Sequence, residues 1–181
     1  MTRNLRIVEL AENYVKSNIQ EIQVNHGWTD RQYMLDMIHY TGWYFGAEWC
    51  AASAILVWKK AYEDDLEITK KLKHLCSLNC QQMGRNFHND AKWPTSTKTP
   101  ILGAIVIWGD GESETKGHCG IIRWIAKDGK SFIACEGNTS SFDKPDIRTG
   151  WTYAEHLHTT NKPHSQTGLN FIRYIYPIEN Y

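Results

Sequence analysis

Three chemical parts stand along this chain in the order that nucleophilic cysteine catalysis uses. Cys50 lies in Trp49-Cys50-Ala51-Ala52, His118 in Gly117-His118-Cys119-Gly120, and Glu136 and Asn138 in Glu136-Gly137-Asn138. A thiol attacks, an imidazole carries the proton, and a polar group fixes the imidazole's tautomer and direction. Cys50 opens an apolar stretch that reads as a helix. A helix N-terminus favours the thiolate through its unpaired N–H groups and its dipole. The Cys50 backbone N–H is also a candidate oxyanion donor. Taken alone, Cys50 reads better as a core cysteine in an apolar helix. His118, between glycines at the mouth of a strand, tips that balance.

The three polar side chains meet only in one hairpin register. A three-residue loop at Lys127-Asp128-Gly129 sets Ala126 opposite Lys130, His118 opposite Asn138 and Gly120 opposite Glu136. His118, Glu136 and Asn138 then share one face of the sheet. A two-residue turn would slip the register by one and send Glu136 and Asn138 to the other face. The catalytic reading therefore requires the longer turn or an equivalent bulge. Either Glu136 or Asn138 can orient the ring.

The surrounding elements follow from periodicity. Leu5 to about Ser17 has helical spacing, broken at His26-Gly27. Thr29 and Asp30 offer caps for a helix through Tyr33, Leu35, Met37 and Ile38. Gly42 and Gly46 bracket an aromatic loop, Trp43-Tyr44-Phe45. From Trp49 to Tyr62 the chain is apolar almost all round, as a central buried helix requires. Residues 66–88 read as helix, and Trp93 to Pro100 as loop. Ala104–Trp108, Gly120–Ile125, Phe132–Cys135 and Leu169–Tyr176 read as strands. Helices first and strands afterwards predict an α+β fold, N-terminal helices packed on a small antiparallel β-sheet, in a single domain over 1–181.

Composition excludes several classes. The chain has 181 residues, 41% of them hydrophobic, and twenty basic against twenty acidic residues. It is globular, with no basic footprint for nucleic acid. No apolar run approaches a membrane span, and residues 1–20 carry charges throughout, unlike a signal peptide. The expectation is synthesis in the cytoplasm. The five cysteines are therefore expected as thiols.

In this order the motifs resemble the CHAP family, the cysteine- and histidine-dependent amidohydrolases/peptidases of the NlpC/P60 and papain-like group. The resemblance rests on Trp49-Cys50-Ala51-Ala52, Pro100-Ile101-Leu102-Gly103 followed by Ala104-Ile105-Val106-Ile107-Trp108, Gly117-His118-Cys119-Gly120-Ile121 and Glu136-Gly137-Asn138-Thr139. It spans residues 5–140 with the last strand near 170–176, and the N-terminal helices resemble phage-associated members. It implies a papain-like fold and a peptidoglycan hydrolase, an N-acetylmuramoyl-L-alanine amidase or endopeptidase, with no cofactor. Carried over, Cys50 is the nucleophile, His118 the base and then acid, and Glu136 or Asn138 the orienting group. Tyr44 and Trp49 are the candidates for the oxyanion hole and cleft. The substrate implied is a peptide or glycopeptide of the wall, reached by release or delivery, with an immunity or delivery protein as a candidate partner. Some phage members bind calcium through aspartates before the cysteine. Tyr40 to Trp49 contains none, so no metal site is expected there. Segment 64–99 is longer than the resemblance leads one to expect between the cysteine helix and the first strand, and the insert 140–168 is unusual for it.

Two other readings compete with wall hydrolysis: a non-catalytic CHAP-like binding module, and a cytosolic thiol amidase or peptidase with another substrate. His74, Cys76, Cys80 and His88 do not have the spacing of a standard zinc motif. Cys119 and Cys135 are expected as a buried thiol pair on the face away from His118. His156 and His158 are expected at the surface.

Overall fold

The computed structural model describes residues 1–111, 115–139 and 152–179. Five α-helices come first: α1 (Arg3–Lys16), α2 (Arg31–Asp36), α3 (Cys50–Ala61), α4 (Leu66–Leu75) and α5 (Cys80–Asn89). The strands follow as β1 (Thr95–Ser96), β2 (Ile105–Gly109), β3 (Gly117–Ile125), β4 (Ser131–Thr139), β5 (Thr152–Thr159) and β6 (Asn170–Ile175). They form one antiparallel sheet in the order β1-β6-β2-β3-β4-β5. The expected α+β, papain-like architecture is borne out. No described helix is long and apolar enough to cross a membrane.

Local chemistry explains the helices. Ile7 and Ala11, one turn apart, are the buried stripe of α1. Asp30 caps α2 by accepting from the Tyr33 N–H at 2.9 Å. The chain then tightens into a π-helical turn over Met37–Thr41 and stops at left-handed Gly42. The single helix expected over 66–88 is two. α4 ends at Leu75 and Asn79 caps α5, its side chain accepting from the Gln82 N–H. That break makes Cys80 a helix start. The segment 140–168, expected as an insert, holds β5; its residues 140–151 lie outside the described residues.

α3 lies against β3 and β4 and is buried on nearly every side. Trp58 is fully buried at its centre, and its indole N–H donates to the Gly103 carbonyl at 3.0 Å. One face of the sheet, with Ile105, Ile107, Cys119, Ile121 and Cys135, packs on the helices. The other face carries a smaller apolar layer that includes Val106, Trp108, Ile122, Phe132 and Ala134. The reactive groups gather where the start of α3 meets the start of β3.

Candidate active site

Cys50 is the first residue of α3, and its N–H has no partner four residues back in the helix. The helix start is held from beneath. Trp49 is fully buried, with its ring 5.1 Å from Trp28 in an edge-on pair. Its side chain also hydrogen-bonds Glu21, whose Oε1 accepts from the Asn25 N–H at 2.7 Å. Burial pushes the Glu21 carboxyl up to about 7 against those two hydrogen bonds. Gly137 passes over the same spot: a Cβ there would lie 2.4 Å from Ser53 Oγ and 2.6 Å from the Trp49 ring. Only a glycine lets β4 approach α3 this closely.

The hairpin register delivers the imidazole. Near the turn, Ile125 pairs with Phe132 and Trp124 with Ile133. A bulge at Arg123 then shifts the pairing, so Ile122 meets Ala134 and Ile121 meets Cys135. Of the two routes the catalytic reading allowed, the bulge is the one used, since Ala126 closes the turn on Ser131. Gly120 thereby faces Glu136, whose Cγ would be 2.6 Å from an added Cβ. The Glu136 side chain crosses that gap, and Oε2 lies 2.8 Å from His118 Nε2.

Glu136 is fully buried and serves three rings. His158 Nε2 lies 2.6 Å from Oε1 and His164 Nε2 3.0 Å from Oε2. Period two in β5 puts His156 and His158 on the Glu136 side of the sheet, because they pair with Ala134 and Phe132. Both are buried, which corrects the surface assignment made for them. His156 bonds Thr139 Oγ1 at 3.0 Å through Nε2. His164 comes from the loop after β5. Its Nδ1 accepts from the Gln166 and Thr167 N–H groups at 3.3 and 3.1 Å. The ring proton is therefore on Nε2, donated to Glu136. Trp108 floors the cluster, with His158 and His164 4.8 and 4.7 Å from its ring.

His118, Glu136 and His164 bring three ligand-type atoms within 4.8 Å of one another, a set that invites a metal. The tautomer of His164 opposes it. A ligating histidine donates its second N–H to an acceptor. Here the second nitrogen faces two N–H donors and the Nε2 lone pair is occupied by hydrogen. The donor set fits a hydrogen-bonded carboxylate rather than a cation.

Cys50 and His118 share a cleft of about 340 Å³ with Val24, Asn25, Glu48, Gly117, Asn138, Thr167 and Leu169. His118 Nε2 is committed to Glu136, so Nδ1 is the nitrogen left for Cys50. Hydrogen bonds from the Cys119 and Cys80 thiols, and then from His118, outweigh burial and hold the Cys50 thiol well below its ordinary range. Burial would lower His118, but the thiolate and Glu136 prevail and push it up to about 10. Glu136 stays ionised well below the usual carboxylate range, its three imidazole partners overcoming full burial. Both shifts run in the direction that favours a thiolate and an imidazolium, with the carboxylate behind the ring.

Of the two orienting candidates, Glu136 takes the ring. Asn138 sits at a left-handed φ of 56° beside a β-bulge and lines the cleft. Among the described residues, neither Tyr44 nor Trp49 lines it. Tyr44 is 65% exposed on its loop, and Trp49 is committed to the aromatic core. Cys119 and Cys135 are free, buried thiols on the helix-facing side of the sheet, and Cys119 also hydrogen-bonds with Cys50 and Cys80, the break before α5 bringing Cys80 to the start of α3. His74 and His88 are exposed, away from any cysteine cluster.

His158, His164 and Trp108 complete the site and were missed from the sequence. The alternation Thr152-Tyr153-Ala154-Glu155-His156-Leu157-His158 was the available signal for the first. His164 had none, since a loop carries it. The CHAP domain family model matches residues 40–138, more than half of the chain and a span that contains Cys50, His118, Glu136 and Asn138. No curated protein and no solved structure matches.

Proposed function

Because the chain belongs to the CHAP domain family, whose members are generally hydrolases that act on peptidoglycan, we propose that it cleaves an amide bond of the wall by nucleophilic cysteine catalysis. The observation that carries this reading is the single cleft holding Cys50 and His118, with Glu136 2.8 Å behind the imidazole. The Cys50 thiolate attacks the carbonyl carbon. The oxyanion forms beside the Cys50 N–H at the head of α3, where the helix dipole favours it. The His118 imidazolium gives its proton to the leaving amine. A water deprotonated by the same ring then releases the acyl group from sulfur. Glu136 keeps the ring in place and stabilises its charged form, and His158 and His164 keep Glu136 ionised and still. Asn138 and Glu48, on the cleft wall, meet the substrate. The reading extends to a protein released or delivered to the wall, where it cuts an amide next to muramic acid or within the peptide.

Digestion of purified sacculi by wild type and Cys50→Ala tests it, with mass analysis of the released fragments to name the bond. Wild type clears the sacculi and the variant does not. Equal clearing would move the nucleophile elsewhere. A wild type that leaves sacculi intact but cleaves a non-wall amide would replace the substrate and keep the chemistry.

A further inference from the structure

Two helices, α3 and α5, both begin at a cysteine, and their starts converge. Cys50 Sγ lies 3.5 Å from Cys80 Sγ. Cys119 hydrogen-bonds with both thiols, and all five cysteines are free. Amide cleavage uses one sulfur. Nothing in that reaction calls for a second thiol in contact with the nucleophile, and its presence has a chemical consequence.

We propose that Cys50 and Cys80 are an oxidation site: a peroxide converts the pair to a disulfide that reversibly blocks the nucleophile. Both cysteines are buried, each 3% exposed, but Cys50 lines the cleft together with Gly117 and Cys80 does not. Peroxide therefore meets Cys50 first. The thiolate attacks one peroxide oxygen and the O–O bond breaks. The departing hydroxide takes the proton of the His118 imidazolium and leaves as water, and the sulfur, oxidised by two electrons, is a sulfenic acid. The Cys80 sulfur then attacks Cys50 sulfur. The S–S bond forms, the S–O bond breaks, and the hydroxide leaves with the Cys80 proton as a second water. In sum, two thiols and one peroxide give one disulfide and two waters.

The geometry selects Cys80 over Cys119 as the resolving thiol. The sulfurs must close from 3.5 Å to the disulfide length of about 2.05 Å. Cys80 follows the irregular stretch 76–79 and is the first residue of its helix, so its backbone can follow the sulfur. Cys119 is inside β3, its backbone tied into the ladder with β2. Gly117 leaves the space, since a Cβ there would stand 3.1 Å from Cys80 Cβ. A nucleophile held as thiolate beside a second thiol is the arrangement that redox-sensitive cysteines share.

The test treats the full chain with hydrogen peroxide, alkylates the remaining thiols, digests without reductant and maps the peptides. It needs no wall substrate, so its outcome is separate from that of the sacculus experiment. The expected product is a Cys50–Cys80 crosslinked peptide, an intact mass lower by two hydrogens, and release of both thiols by dithiothreitol. In Cys80→Ser, excess peroxide instead carries Cys50 to a sulfinic acid that dithiothreitol does not reverse, while Cys119→Ser retains the crosslink. A wild-type Cys50 that gains oxygen while Cys80 stays free overturns the proposal. So does a crosslink to Cys119, or a Cys80→Ser protein whose Cys50 recovers as fully as wild type.

Discussion

Gly120 and Glu136 occupy one volume: the glycine's missing side chain is the passage through which the glutamate reaches His118. An added Cβ would stand 2.6 Å from Glu136 Cγ and 3.0 Å from the Cys135 carbonyl oxygen. Gly120→Ala must displace the carboxylate or the strand. The expected result is a fall in kcat/KM of roughly 10²-fold, the usual effect of misplacing a reacting group by about 1 Å. Steady-state kinetics on a protein with an unchanged far-ultraviolet circular dichroism spectrum checks it, and full activity would separate Glu136 from catalysis.

Cys50 is held well below the ordinary thiol range while His118 is raised to about 10. Iodoacetamide should therefore modify Cys50 much faster than the other four cysteines at neutral pH. The rate should fall only well below the ordinary thiol pKa of about 8.5. Five equal rates, or a Cys50 rate that rises only near that value, would remove the ion pair.

Turnover and alkylation should part at high pH. Above about 10 the thiolate persists, but His118 has lost the proton it gives the leaving amine. Hydrolysis declines there while alkylation does not. The same shift has a stability sign. His118 is raised from 6.5, so its contribution to folding is complete below about 6.5 and is lost as pH rises through about 10. Glu136 is depressed, so its contribution is present above its unfolded value and lost as acid protonates it. Thermal melts across that range report both limbs.

Replacing Glu136 by Gln removes the charge that holds three rings. His118 then loses one of the two groups that raise it, and the alkaline limb of the pH–rate profile moves to lower pH. The rate should drop by roughly 10²- to 10⁴-fold, the worth of a positioned acid–base group. A profile that keeps its alkaline limb would assign the raised imidazole to Cys50 alone.

His164→Ala takes one donor from the buried carboxylate without touching the cleft thiol. Leaving a buried polar group short of a partner costs about 1–3 kcal/mol. A lower melting temperature and a smaller loss of activity than in Glu136→Gln are expected. An unchanged melting temperature would mean that water replaces the ring.

Much of this site was legible in the chain because its parts are local or set by periodicity. Apolar residues around Cys50 define a buried helix, and the cysteine at its head is an N-terminal thiol by position alone. Parity along β3 and β4 put His118 and Glu136 on one side once the hairpin gained a bulge. That bulge, at Arg123, is a tertiary decision with no residue that announces it. His164 could not be found because its distance from Glu136 depends on a loop's path. The break at residues 76–79 escaped because Leu72, Leu75 and Leu78 keep a helical rhythm through it, while Asn79 offers a cap.

The two histidines that support Glu136 from β5 and its loop lie beyond residue 138, outside the span the family model covers. A fragment trimmed to 40–138 would keep Cys50, His118 and Glu136, yet bare the carboxylate on the side those rings close. The segment that closes this site is thus larger than the one that identifies the family, and a domain transplant should carry the polypeptide through at least Ile175, because β6 pairs with β2.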